Sequence, residues 1–173
     1  YTLADISKCR KFKFDVKQQV QKYGWEIDPN TLAFWNEQSK EVRRNIAPKS
    51  SDLSVSDFVK QFTDFLIEAP TIKYWWSRSN TFDPMILSRL FQSQNKLPHM
   101  EQHLKYWSVR DTRTYIDAKF NFELKKNAFA PCENDEKWDS VFKAHDSSWD
   151  ILADVLRLQS IVRAENDMEQ IKV

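Results

Sequence analysis

The chain is poor in the residues that make linkers and cross-links. It has one glycine, Gly24, in 173 residues, which excludes a glycine-rich linker. Two cysteines, Cys9 and Cys132, make no disulfide framework, and free thiols in a reducing compartment fit that count. No apolar run approaches the length of a membrane span, and the first residues lack the layout of a signal peptide, so the cytoplasm is the expected location. Net charge is missing too. With 26 Lys and Arg against 25 Asp and Glu, no global field announces a polyanionic partner. The chain also lacks an initiator methionine and opens at Tyr1 inside a β-like run, from which we expect a preceding segment in the full protein.

What is present argues for a packed fold. Hydrophobic residues make up 41% and aromatics 14%, against a disordered chain. At this length a single domain over 1–173 is expected, burying roughly two thirds of its extended-chain surface. Charge does concentrate locally: between Ser7 and Lys22, Lys8, Arg10, Lys11, Lys13, Lys17 and Lys22 face only Asp15. Such a run is a solvated face or a rim that tracks phosphates.

Tyr1–Ile6 and Arg10–Phe14 alternate as two short strands. Asp15–Tyr23 predicts a helix with Gly24 at its C′ position, and Asp28-Pro29 an N-cap with proline after it. Lys40–Ile46 is a charged helix. Ser54 or Ser56 caps another, with Val55, Phe58, Val59, Phe62, Phe65 and Leu66 at helical spacing. Ile72–Trp76 and Leu104–Val109 read as short buried strands, and Pro98 marks a loop. Asp83-Pro84 opens an amphipathic helix, and Asp111–Ala118 forms a short one. Phe120 to Trp138 is irregular, and the last helix runs from about Ser147 to Ala164 with Ile151, Leu152, Val155, Leu156 and Ile161 inward. Strands followed by helices alternating with strands give an α/β domain with a mixed sheet.

Carboxylates stand at the starts of two of these helices. Asp83, before Pro84, is placed to act as an N-cap. Ser147 and Asp150 match a capping box, and His145 precedes them as a hinge or surface imidazole. Asp154 lies one turn beyond Asp150, and two such carboxylates repel unless a cation or basic residue sits between them. Each has a bland reading.

Taken together they resemble a known family. Trp76 to Asp83, followed by Ile86-Leu87, is similar to the second motif of DEDDh-type 3′–5′ exonucleases. Ala144-His145-Asp146 with Asp150 resembles their third, a histidine with an aspartate five positions on. The blocks Thr31 to Trp35, Gln38 to Pro48 and Tyr106 to Thr114 are similar to the phage deoxyribonuclease members, in the same order. The family also holds exoribonucleases.

The resemblance implies a ribonuclease-H-like mixed sheet with flanking helices. It implies two Mg²⁺ or Mn²⁺ ions, about 3.5–4 Å apart, serving an in-line displacement at a 3′ terminus. By match Asp83 and Asp150 are metal ligands and His145 is the general base. The family's first motif, Asp-x-Glu on the first strand, has no counterpart: Asp5 is followed two positions later by Ser7. The first strands are therefore expected upstream, and this chain alone is expected to be inactive.

Arg78, Arg110 and Arg113 can contact phosphates or pair with Asp111. Trp35, Trp75 and Trp76 can stack on bases, with core the better reading for Trp75 and Trp76. His99 and His103 with Cys132 are too loose a set for zinc. The expected substrate is single-stranded DNA before RNA. A catalytically inactive nucleic-acid-binding module is the alternative that the missing motif leaves open.

Overall fold

The computed structural model describes residues 9–69, 71–119, 142–143 and 145–171, with side chains described up to 163. The expected strand Tyr1–Ile6 and the stretch Phe120 to Trp138 lie outside the described residues, as does Cys132.

Local chemistry places most of the helices. In α1 (Val16–Tyr23) the Asp15 carboxylate accepts from the amides of Lys17 and Gln18, and Gly24 closes the helix at φ 65°, where a Cβ is disfavoured. Asp28 caps α2 (Pro29–Asn36) by accepting from Thr31 N at 2.7 Å, and Ser39 caps α3 (Lys40–Ile46). Ser54 Oγ accepts from Asp57 N at 3.0 Å to start α4 (Val55–Glu68). The Gln18 side chain accepts from Val55 N at 2.8 Å, occupying another of the unpaired amides at that helix start.

Two hydrogen-bonded strands follow the same order, β1 (Trp75–Ser77) and β2 (Val109–Asp111). Between them lie α5 (Asp83–Ser93), α6 (Leu97–His103) and a 3-10 turn, Tyr106–Ser108. After β2 come α7 (Thr112–Lys119) and α8 (Ser147–Ile171). The architecture is mixed α/β and strongly helical. Among the described residues no helix is long and apolar enough to cross a membrane.

Several expectations are corrected here. Arg10–Phe14 forms no strand: Phe14 makes one isolated parallel bridge to Leu53, itself outside any strand, so there is no strand edge to pair along. The strand expected at Ile72–Trp76 is shifted to Trp75–Ser77, with Trp76 42% exposed. Leu104–Val109 is mostly a 3-10 turn, with the strand beginning only at Val109. Pro98, expected in a loop, sits in the first turn of α6, where its missing N–H costs nothing.

The chain divides into two compact units. A helical unit comprises Phe12–Trp75 and Asn80–Val109; a second, C-terminal unit comprises Tyr1–Lys11, Trp76–Ser79 and Arg110–Val173. In the helical unit α4, α5 and α6 pack together around Val55, Phe58, Val59, Leu66, Leu90, Phe91, Met100 and Leu104. Phenylalanine rings run through it edge to face: Phe12 on Phe58 at 5.6 Å, and Phe62 on Phe91 at 6.0 Å. In the C-terminal unit α7 packs on α8, with Ile116, Leu152, Ala153 and Ile161 buried. Ile151, expected inward, is exposed, because Asp154 and Arg157 take the inner face.

Phe91 is fully buried at the centre of the helical unit. Phe91→Ala is expected to lower the unfolding free energy by about 3–5 kcal/mol in a urea titration followed by circular dichroism. A loss below about 1 kcal/mol would show that this core is not the one that holds the unit.

Candidate active site

The C-terminal unit brings together the end of β1, the β2–α7 junction and the start of α8. Arg78 follows directly on β1. At the junction, Asp111 Oδ1 accepts from Thr114 N at 2.9 Å and so starts α7. The next residue, Thr112, is buried. Its hydroxyl lies 2.9 Å from Asp154 Oδ2 and 3.1 Å from the Ser77 carbonyl oxygen, donating toward both. Asp154 Oδ1 accepts from Arg157 Nη1 at 3.0 Å, and Arg157 is 2% exposed. Arg78 Nη1 stands 4.0 Å from the same Asp154 oxygen.

The helix start is built by Asp146 and not by the capping box expected at Ser147. Asp146 Oδ1 accepts from Ser148 N at 3.0 Å, and its Oδ2 takes the Lys11 ammonium at 2.7 Å. Burial works against the Asp146 charge, but Lys11 and the helix amides prevail and hold its pKa below the usual value. His145, one residue earlier, has φ 62°, a left-handed backbone that non-glycine residues enter rarely and at a cost.

Asp150 is different. It is half-buried and has no side-chain hydrogen bond or ion pair among the described residues. Burial raises its pKa; Arg78 first and then His145 oppose the rise, while Asp154 and Asp146 add to it. The repulsion expected between Asp150 and Asp154 is thus met by a basic residue, Arg78, from outside the helix. Desolvation still outweighs that help.

The other residues singled out are placed as follows. Asp83 is exposed and is the first residue of α5, in the helical unit. The N-cap there is Phe82, with no side-chain cap bond, so the expected capping role is not filled by Asp83. Arg110 is half-buried in β2, and Arg113 is exposed on the first turn of α7. Trp75 packs on the helical core, whereas Trp76 meets Tyr115 edge-on at 5.7 Å and stays partly open to solvent. In the basic run near the N-terminus, Lys11 is paired with Asp146, and Lys13 with Asp52 at 3.0 Å. Two of the six cations of that run, Lys11 and Lys13, are therefore engaged within the protein.

Sequence reasoning missed Thr112 and Arg157. The signal available was the stripe Asp150, Asp154, Arg157, Ile161, which puts polar residues where an apolar face was expected. Among the described residues no three of His, Cys, Asp and Glu converge to hold a metal ion. Asp154 and Asp146 are committed to Arg157 and Lys11, leaving Asp150 alone. The described donors do not by themselves fit a two-ion centre.

The C-terminal unit thus holds a desolvated carboxylate, Asp150, whose charge is opposed by burial and favoured by Arg78 and His145, groups of the kind that handle a water proton and a phosphate. Comparison with known proteins agrees with that class. A family model described as the 3′-5′ exoribonuclease Rv2179c-like domain matches residues 3–149, and the chain belongs to this family of 3′–5′ exonucleases. It is 32% identical over 177 residues to the exodeoxyribonuclease of Enterobacteria phage T4, an alignment covering 95% of this chain and 75% of that protein. No solved structure matches it. His145 lies inside the family match, and Asp150 one residue past its end.

The raised pKa of Asp150 has a sign that can be tested. Its carboxyl binds a proton more readily folded than unfolded, so stability falls as pH rises from the usual carboxylate range through the folded value. Above that value the buried charge opposes folding. Asp150→Asn is therefore expected to raise the melting temperature at neutral pH, with the gain disappearing near pH 3. A lower melting temperature at neutral pH would mean that the charge is used in holding the fold.

Proposed function

We propose that this chain is a single exonuclease domain of ribonuclease-H-like fold that removes mononucleotides from the 3′ end of single-stranded DNA in the cytoplasm. The observation that carries the reading is Asp150, half-buried without a side-chain hydrogen bond among the described residues, its pKa raised by burial against the opposing charges of Arg78 and His145. A desolvated, unengaged carboxylate costs stability, and such groups concentrate at functional sites.

On this reading His145 accepts the proton of the attacking water, a role suited to imidazole near neutral pH. The water oxygen bonds to phosphorus, the bond from phosphorus to the 3′ oxygen of the preceding nucleotide breaks, that oxygen takes a proton from solvent to become the new 3′-hydroxyl, and a 5′-mononucleotide is released. Arg78 orients the scissile phosphate, with Arg110 and Arg113 along the strand. Asp150 would supply an oxygen donor to Mg²⁺ or Mn²⁺, and two ions need more oxygen donors than this one carboxylate.

DNA is favoured because the phage T4 relative is an exodeoxyribonuclease. RNA is the second reading, because the matching family is described as exoribonuclease; the choice turns on contact with a 2′-hydroxyl.

Oligodeoxyribonucleotide and oligoribonucleotide of one sequence, each labelled at its 5′ end, separate these readings in the presence of Mg²⁺ or Mn²⁺. In the full-length protein the expected result is a ladder shortening from the 3′ end of the DNA, abolished by EDTA. His145→Ala is expected to slow it by about 10²- to 10⁴-fold. Faster shortening of the RNA reverses the substrate assignment. Salt-dependent binding without cleavage of either strand overturns the enzymatic one in favour of a binding module.

A further inference from the structure

The helical unit carries an aromatic feature that the chemistry above does not use. Tyr106 is 78% exposed and Trp107 63% exposed, two of the largest apolar side chains standing together in solvent. Their rings meet at 87° with centroids 4.9 Å apart, so two perpendicular aromatic faces are presented. Lys105 Nζ lies 5.8 Å from the Trp107 ring centroid.

This outward placement is fixed by the backbone. The Lys105 carbonyl oxygen accepts from Ser108 Oγ at 2.7 Å, from Ser108 N at 2.9 Å and from the Trp75 indole N–H at 3.1 Å. Leu104 before the turn and Ser108 after it are both buried. The 3-10 turn is thus pinned at both ends, and the two residues between have nowhere to point but out. Trp75 also joins a second lysine–aromatic couple to this turn: the residue before it, Tyr74, is 47% exposed, with Lys73 Nζ 5.4 Å from its ring centroid.

We infer that Tyr106 and Trp107, with Lys105, form a stacking platform for the bases of a single-stranded nucleic acid. The inference rests on the exonuclease reading and adds to it how the strand is gripped. Aromatic faces bind any base through its π surface, and a neighbouring ammonium meets the phosphate between successive bases. The lysines argue against a protein partner, since lysine is depleted from protein–protein interfaces, where its charge must be desolvated. A rigid turn also suits this role, because little side-chain freedom remains to be lost on binding.

Fluorescence anisotropy of a 5′-labelled oligo(dT), measured in EDTA so that it is not cleaved, tests this directly. Trp107→Ala and Tyr106→Ala are each expected to weaken binding roughly 5- to 150-fold, the range for one lost base stack. Trp107→Phe should keep most of the affinity, and Lys105→Ala should flatten the dependence on salt by about one phosphate contact. Both rings are exposed, so unchanged melting curves are expected for all four variants. Binding within about twofold of wild type in Trp107→Ala and Tyr106→Ala overturns the platform while leaving the exonuclease reading intact. Wild-type protein that binds no oligonucleotide overturns both.

Discussion

Asp154 is the point through which the C-terminal unit is joined. One carboxylate takes the Thr112 hydroxyl from the β2–α7 junction and the Arg157 guanidinium from its own helix. Through Thr112 it also reaches the Ser77 carbonyl at the end of β1. Three elements are fixed by a single side chain. A buried ion pair is weak evidence for net stability, because desolvating two charges offsets most of their attraction. Breaking it is another matter: removing one partner strands the other charge, at a cost of about 3–5 kcal/mol. What the pair supplies is position.

Position is what the neighbouring groups need. The first turns of α8 hold three aspartates in three states, set by surroundings and not by residue type. Asp146 caps the helix and pairs with Lys11, and its charge is favoured. Asp154 is buried and matched. Asp150, between them, is desolvated with only Arg78 and His145 to help, and its charge is disfavoured. Because Asp154 consumes Arg157 and Asp146 consumes Lys11, neither cation is left to satisfy Asp150. A chain selected for stability alone would replace that carboxylate; one that works on phosphodiesters has reason to keep it.

The legible parts of the fold were those decided within a few residues. Gly24, Asp28 with Pro29, and Ser54 bound their helices as expected, since a cap depends on near neighbours alone. The strands were less legible. Ile72–Trp76 and Leu104–Val109 carry β-forming residues, but which of them pair was settled by distant partners, and the Lys105 carbonyl turned the second into a 3-10 turn. On α8 Leu152 and Ile161 face inward as expected, but Ile151 does not, and the buried Asp154 and Arg157 were illegible because an Asp–Arg pair three residues apart has no hydrophobic signature. In the site, the spacing of His145 and Asp150 was readable, and so was the need for a basic residue beside Asp150 and Asp154. That Arg78 supplies it could not be read, because Arg78 lies on another element.

The proposed division of labour between Asp154, which holds the unit together, and Asp150, which would serve the reaction, is tested most directly by one comparison. The rate of 3′-end shortening of single-stranded DNA is measured in the full-length protein for Asp150→Asn and Asp154→Asn, each corrected for its folded fraction at the same temperature. The expected result is a fully folded Asp150→Asn that has lost the great part of its rate, beside an Asp154→Asn that has lost folded protein. An Asp150→Asn protein that is folded and shortens DNA at the wild-type rate would contradict it.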